Sequence, residues 1–179
     1  MREMSENKIS GAFFLALCLA VTAISCGFFL GGVFGAAEDS LKSGLNQSGV
    51  AVLDSVYKSD GAAKDAVVKK SWEYFIRAHL HWGSIGSAAL ALILTLTLIC
   101  RPTRAAKVIA VVMGTGALIY PLFWLLAGIA APKLGGTGLA KEYFAWIGTP
   151  GAACCILGVF GTLFCLVRDR FTKTSQKSV

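Results

Sequence analysis

Acidic residues are scarce in this chain, ten in 179, and none falls within its four long apolar stretches, residues 9–35, 78–100, 105–131 and 143–167. Pumps and ion-coupled transporters normally carry a carboxylate at membrane depth, so the absence argues against that class. Charge of either sign is low, at 15%, where an ordinary soluble domain has about 25%. Cysteine is absent from the polar segment 36–77; Cys18, Cys26, Cys154, Cys155 and Cys165 lie inside apolar stretches and Cys100 ends one. A disulfide framework would place its cysteines in exposed loops, so these thiols read as small apolar side chains. No Cys-x-x-Cys-His run occurs, which excludes covalent c-type haem attachment. Nor is there a glycine-rich phosphate loop, a Ser/His/Asp set, a cluster of metal ligands or an internal transporter-like repeat, so the chain is not expected to be an autonomous enzyme.

What is present is hydrophobic length. Mean hydropathy is +0.66, and each apolar stretch exceeds the roughly 20 residues that a helix needs to cross a bilayer. The expected fold is all-α, a polytopic membrane protein of four transmembrane helices in an up-down bundle, one membrane domain over residues 1–179. A long helical loop, 36–77, joins spans one and two. The first stretch is too long for a signal peptide and ends in no small-x-small cleavage site, so it is read as a retained helix.

A formal charge of +7 suggests nucleic acid until the charges are placed. Arg101, Arg104 and Lys107 crowd the link between spans two and three, and Arg168, Arg170, Lys173 and Lys177 follow span four. Short basic segments stay in the cytoplasm. Both termini, including the tail 168–179, are therefore expected inside, with the bacterial inner membrane as location and the bilayer, not nucleic acid, as partner. In 36–77 six Lys/Arg are balanced by six Asp/Glu, which leaves that loop without a bias of its own.

Gly27, Gly31 and Gly35 repeat at four-residue spacing, a stripe that lets another helix approach closely. The loop predicts an amphipathic helix over 40–57, a break at Ser59-Asp60-Gly61, and a second helix running uninterrupted into span two, with Trp72, Tyr74 and Trp82 as anchors at the water boundary. Pro121 and Pro150 are expected to kink spans three and four.

Only two histidines occur, both in Ala78-His79-Leu80-His81-Trp82-Gly83. Positions i and i+2 of a helix point about 200° apart, so one small ion cannot take both; they would serve two sites on opposite faces. An imidazole at the membrane edge needs a ligand or partner, which makes His79 and His81 candidate metal ligands. His79 shares its face with Phe75, Ile76, Gly83 and Gly86, and the two glycines leave a groove against which a planar ligand would lie. His81 shares the other face with Tyr74, Arg77, Ser84 and Ile85, and Arg77 is placed to pair with carboxylates such as haem propionates. The bland alternative is two interfacial side chains wetted by water and headgroups.

The segment Arg77-Ala78-His79-Leu80-His81-Trp82-Gly83-Ser84-Ile85-Gly86 resembles the histidine-bearing tenth helix of the core subunit of haem-copper oxygen reductases and nitric oxide reductases. The resemblance implies that His79 matches the ligand of the high-spin haem and His81 that of the low-spin haem, and that the four spans correspond to the last four helices of that subunit. It covers about ten residues of 179. The family's second low-spin ligand and its copper histidines are missing, so the resemblance does not imply oxygen or nitric oxide reduction by this chain alone. It implies haem b at His79, His81 and Arg77, serving electron transfer or a larger respiratory complex, with a homo-oligomer as one way to supply a second His81. The alternative is a non-catalytic structural or scaffold subunit without cofactor. A claudin-type adhesion protein shares the long first loop but fails on residues, since the loop has neither cysteine nor a Trp-Leu-Trp motif.

Overall fold

A computed structural model describes residues 9–175. Six helices follow one another: α1 (Gly11–Val50), α2 (Leu53–Tyr57), α3 (Gly61–Leu98), α4 (Arg104–Leu134), α5 (Thr137–Tyr143) and α6 (Ala145–Ser175). No strand occurs among the described residues. Four of these helices, α1, α3, α4 and α6, are long and apolar enough to cross a membrane, so the molecule is an all-α polytopic bundle. Residues 1–8 and 176–179, the end of the predicted tail, lie outside the described residues.

One helix departs from the sequence expectation in length. The helix carrying the first span does not end with the apolar stretch at residue 35: α1 runs 40 residues to Val50 and is interrupted only by the non-helical Ala37 (φ −142°, ψ 24°). At 1.5 Å per residue it is about 60 Å long, twice a hydrocarbon core of about 30 Å. The separate helix expected over 40–57 is thus the far half of α1 plus the short α2. The second loop helix runs into span two as expected, since α3 starts at Gly61 and continues unbroken to Leu98. The far halves of α1 and α3 form a polar hairpin beyond the apolar bundle. Lys64 and Gly49 join its two arms: Lys64 Nζ donates to Asn46 Oδ1 at 2.6 Å, and a methyl at position 49 would sit 2.9 Å from Lys64 Cγ. The break falls where predicted. Lys58 and Ser59 take positive φ, and Asp60 caps α3 by accepting from the Ala63 N–H at 2.9 Å.

α4 is the hub, packed against α1, α3 and α6. Its contact surface is made of small residues: Ala106, Ala110, Ala117, Ala127 and Ala131 are fully buried. In a bilayer, apolar side chains gain little by leaving lipid, so close backbone approach supplies the packing energy. α1 answers with Ala16, Ala20, Ala23 and Gly27. Large apolar side chains such as Phe28, Phe29, Phe160 and Phe164 point outward, the reverse of a soluble protein and the arrangement lipid requires. At the basic end Asp169, 5% exposed, accepts from the Arg101 N–H at 2.6 Å and from the Arg168 guanidinium at 2.7 Å. This pins the α3–α4 link to α6. All six cysteines are free thiols.

Candidate functional site

The segment 78–82 sits in α3 where the bundle gives way to the hairpin, and its two rings do point to different neighbours. His79 faces α1. Its Nδ1 lies 2.8 Å from the Gly27 carbonyl oxygen, which makes Nδ1–H the donor, since a carbonyl only accepts. The ring lies on Gly31, where a methyl would stand 2.7 Å from Cε1 and 3.5 Å from Nε2. Phe34 meets the ring edge-on at 5.7 Å. His81 faces α4 instead and stacks on Tyr120, centroids 5.5 Å apart and planes at 18°. Trp124 stands edge-on to it at 6.3 Å.

The groove expected beside His79 is partly filled by α1. A methyl at Gly27 would lie 2.9 Å from the Gly83 backbone nitrogen, and one at Gly86 would lie 2.9 Å from Ile24 Cγ1. Of the two glycines that suggested room for a planar ligand, Gly86 admits α1, whereas a methyl at Gly83 would meet nothing within 4 Å. Gly35, the third of the α1 stripe, meets nothing within 4 Å, so the packing stripe ends at Gly31.

The aromatic anchors also need reassignment. Tyr74 and Trp82 are buried, at 3% and 6% exposure. The Trp82 indole N–H donates to the Leu118 carbonyl at 3.0 Å, in the turn before Pro121, where the helix ladder of α4 is weakened. Trp72 stacks with Phe75 and Phe34. Tyr143 and Trp146, 66% and 71% exposed, are the aromatic side chains presented outward at this end. α4 runs through Pro121 to Leu134, and Pro150 falls within the first two turns of α6.

Arg77 forms no ion pair with a described carboxylate. Its guanidinium lies over Trp124, 4.4 Å from the ring centroid, and 5.5 Å from that of Tyr74. Tyr74 and Trp124 are themselves edge-on at 5.0 Å. Sequence reasoning missed the α4 side of this cluster. Tyr120, Phe123 and Trp124 recur at i, i+3 and i+4, which puts them on one helix face and was the available signal. The Trp124 Nε1–H is enclosed and has no hydrogen-bond acceptor. Beside Trp124 a groove of about 550 Å³ opens between α4 and α6, lined by Phe123, Trp124, Gly148, Ala152 and Ile156 with Lys141 of α5 at its polar edge.

No three His, Cys, Asp or Glu side chains among the described residues are grouped to hold a metal ion. At His79 the Nδ1 hydrogen bond to the Gly27 carbonyl is of the kind that orients a ligating imidazole and leaves Nε2 for a metal, while Phe34 and the α1 backbone at Gly31 crowd the ring. His81 differs, for no protein group hydrogen-bonds to its ring. Compared with known families, curated proteins and solved structures, the chain matches none.

Proposed function

We propose that this chain is a non-catalytic membrane subunit, a four-span scaffold lying in the bacterial inner membrane with both termini cytoplasmic and its polar helical hairpin outside. The observation that supports this reading is the use of the histidine segment. The ring nearest the glycines locks α3 to α1 through the Gly27 carbonyl, and Trp82 locks α3 to α4 through Leu118. One turn of α3, from His79 to Trp82, is thereby committed to holding a neighbouring helix on each side. The role is architectural, with the hairpin as the part offered to other components of a complex.

A second reading keeps haem b, at His81 or at His79, whose Nδ1 bond to the Gly27 carbonyl leaves Nε2 available. Its support is that the His81 ring makes no hydrogen bond and that Arg77, without a carboxylate partner, stands one turn away on the same face. Bound there, haem would supply one-electron transfer. One experiment separates the two readings: a reduced-minus-oxidised absorption spectrum of the detergent-purified protein, expressed with ample haem, beside His81→Ala and His79→Ala. The scaffold reading expects a colourless protein in all three samples. A b-type band present in the wild type and lost in either variant would overturn it in favour of haem and name the ligand.

A further inference from the structure

The groove beside Trp124 has three properties together. It is almost wholly apolar, with a floor of small residues, Gly148 and Ala152, flanked by Phe123 and Ile156. It lies along the outward-facing side of α4 and α6, two helices that cross the membrane, so lipid chains are its natural surroundings. At its hairpin end it meets positive charge that no described carboxylate ion-pairs, the nearest acid to Arg77 along α3 being Glu73, which pairs with Lys70. Lys141 lines the edge, and Arg77 lies over the same Trp124 ring that forms the groove wall. Ala140, the neighbour of Lys141, packs in one cluster with Tyr74, on which Arg77 also rests. Neither cation is ion-paired with a described carboxylate; Glu142, next to Lys141, is exposed.

We infer that this groove is a binding site for one anionic phospholipid of the hairpin-side leaflet, an acyl chain lying between α4 and α6 and the headgroup phosphate drawn to Lys141 and Arg77. An acyl chain matches an elongated apolar trough open to the bilayer, whereas a soluble ligand would have to leave water for a site offering it few polar contacts. The charge decides the headgroup, because each Lys or Arg near an anionic surface contributes about 1 kcal/mol, or about fivefold in preference. Trp124 couples the two halves of the site: one part of its ring carries Arg77 and another walls the chain.

The test is lipid selectivity of the full chain. Protein reconstituted in vesicles of equimolar phosphatidylglycerol and phosphatidylcholine is extracted in mild detergent, and the co-purifying lipid is quantified by mass spectrometry. The wild type should retain phosphatidylglycerol in excess. Lys141→Gln and Arg77→Gln should each lower that excess about fivefold, while Arg77→Lys should keep most of it. Ala153→Phe, an exposed position on the groove lining, should fill the trough and release the lipid of either headgroup. Equal retention of the two lipids by the wild type, or an unchanged excess in Lys141→Gln and Arg77→Gln, would overturn the anionic headgroup. Full retention in Ala153→Phe would overturn the seat. Thermal melts of each variant, expected to match the wild type, keep a folding defect from passing for a lost lipid.

Discussion

At Gly27 and Gly83 two helices touch backbone to backbone, and no side chain can move aside to relieve an added methyl. The Cβ of any residue at 27 would lie 2.9 Å from the Gly83 nitrogen and 3.2 Å from its Cα. Gly27→Leu should therefore push α1 off α3 and cost at least the roughly 1–3 kcal/mol of overpacking. Gly35→Leu, facing open space, should be nearly silent in the same unfolding titration. Gly31 offers a finer probe, since its contact is the His79 ring. Gly31→Ala should turn that ring and break the bond to Gly27, and His79→Ala alone should cost about 0.5–1.5 kcal/mol, the usual net worth of one hydrogen bond. Because both act through one contact, the double variant should be less destabilised than the sum of the two. Additive losses would show that His79 does not hold the α1–α3 seam. Among these residues the sequence exposed the glycine spacing and the opposite facing of the histidines. It hid which neighbour each ring would meet, because helical spacing orders residues around one helix and carries nothing about the next.

Between elements, the short connections close helix ends that a longer loop would leave to water. α4 ends in Pro132–Leu134 and a left-handed Gly135 (φ 78°). Its terminal carbonyls lack helical donors, and the Tyr57 hydroxyl of α2 donates to the Pro132 carbonyl at 2.7 Å. Val56 closes over Gly135, where any Cβ would collide with its Cγ1. Tyr57→Phe should cost about 1–3 kcal/mol by stranding that carbonyl in a buried place. Burial also pushes the Tyr57 phenol above its ordinary range. Since the folded chain holds this proton more tightly than the unfolded chain, the stabilisation is complete below about pH 10 and falls as pH rises through the raised value. Wild type should lose stability above about pH 10, and Tyr57→Phe should lose less over the same range. A matching decline in the variant would assign the alkaline loss to other groups. Spans, the break at 59–61 and the merging of the second loop helix with span two were legible from hydrophobic length and turn residues. The continuity of α1 to Val50 was not, because its far half is polar on most sides and only packing against α3 keeps it helical.

For the whole molecule, small residues inside and large ones outside define a bundle whose solvent is lipid, and its proposed direction rests on charge. Fully buried alanines line the α1–α4 and α3–α4 seams, while exposed phenylalanines ring α1 and α6. Arg101, Arg104 and the Arg168–Arg170 segment gather at one end, and the hairpin with mixed charge occupies the other. Lys and Arg in short segments such as the basic end are retained in the cytoplasm, whereas a loop as long as the hairpin says little about orientation. This scale is also where sequence was most informative, since hydropathy and basic flanks depend on composition alone and not on which helices touch. The proposed direction is open to a direct measurement. Lys58→Cys places a thiol at the exposed tip of the hairpin and Arg104→Cys one at the basic end, and the native thiols lie within or at the ends of apolar spans. A membrane-impermeant maleimide added to intact cells should label Lys58→Cys and leave Arg104→Cys unreacted until the cells are broken. The opposite pattern would invert the molecule, put the lipid groove in the cytoplasmic leaflet, and give the hairpin cytoplasmic rather than external components to bind.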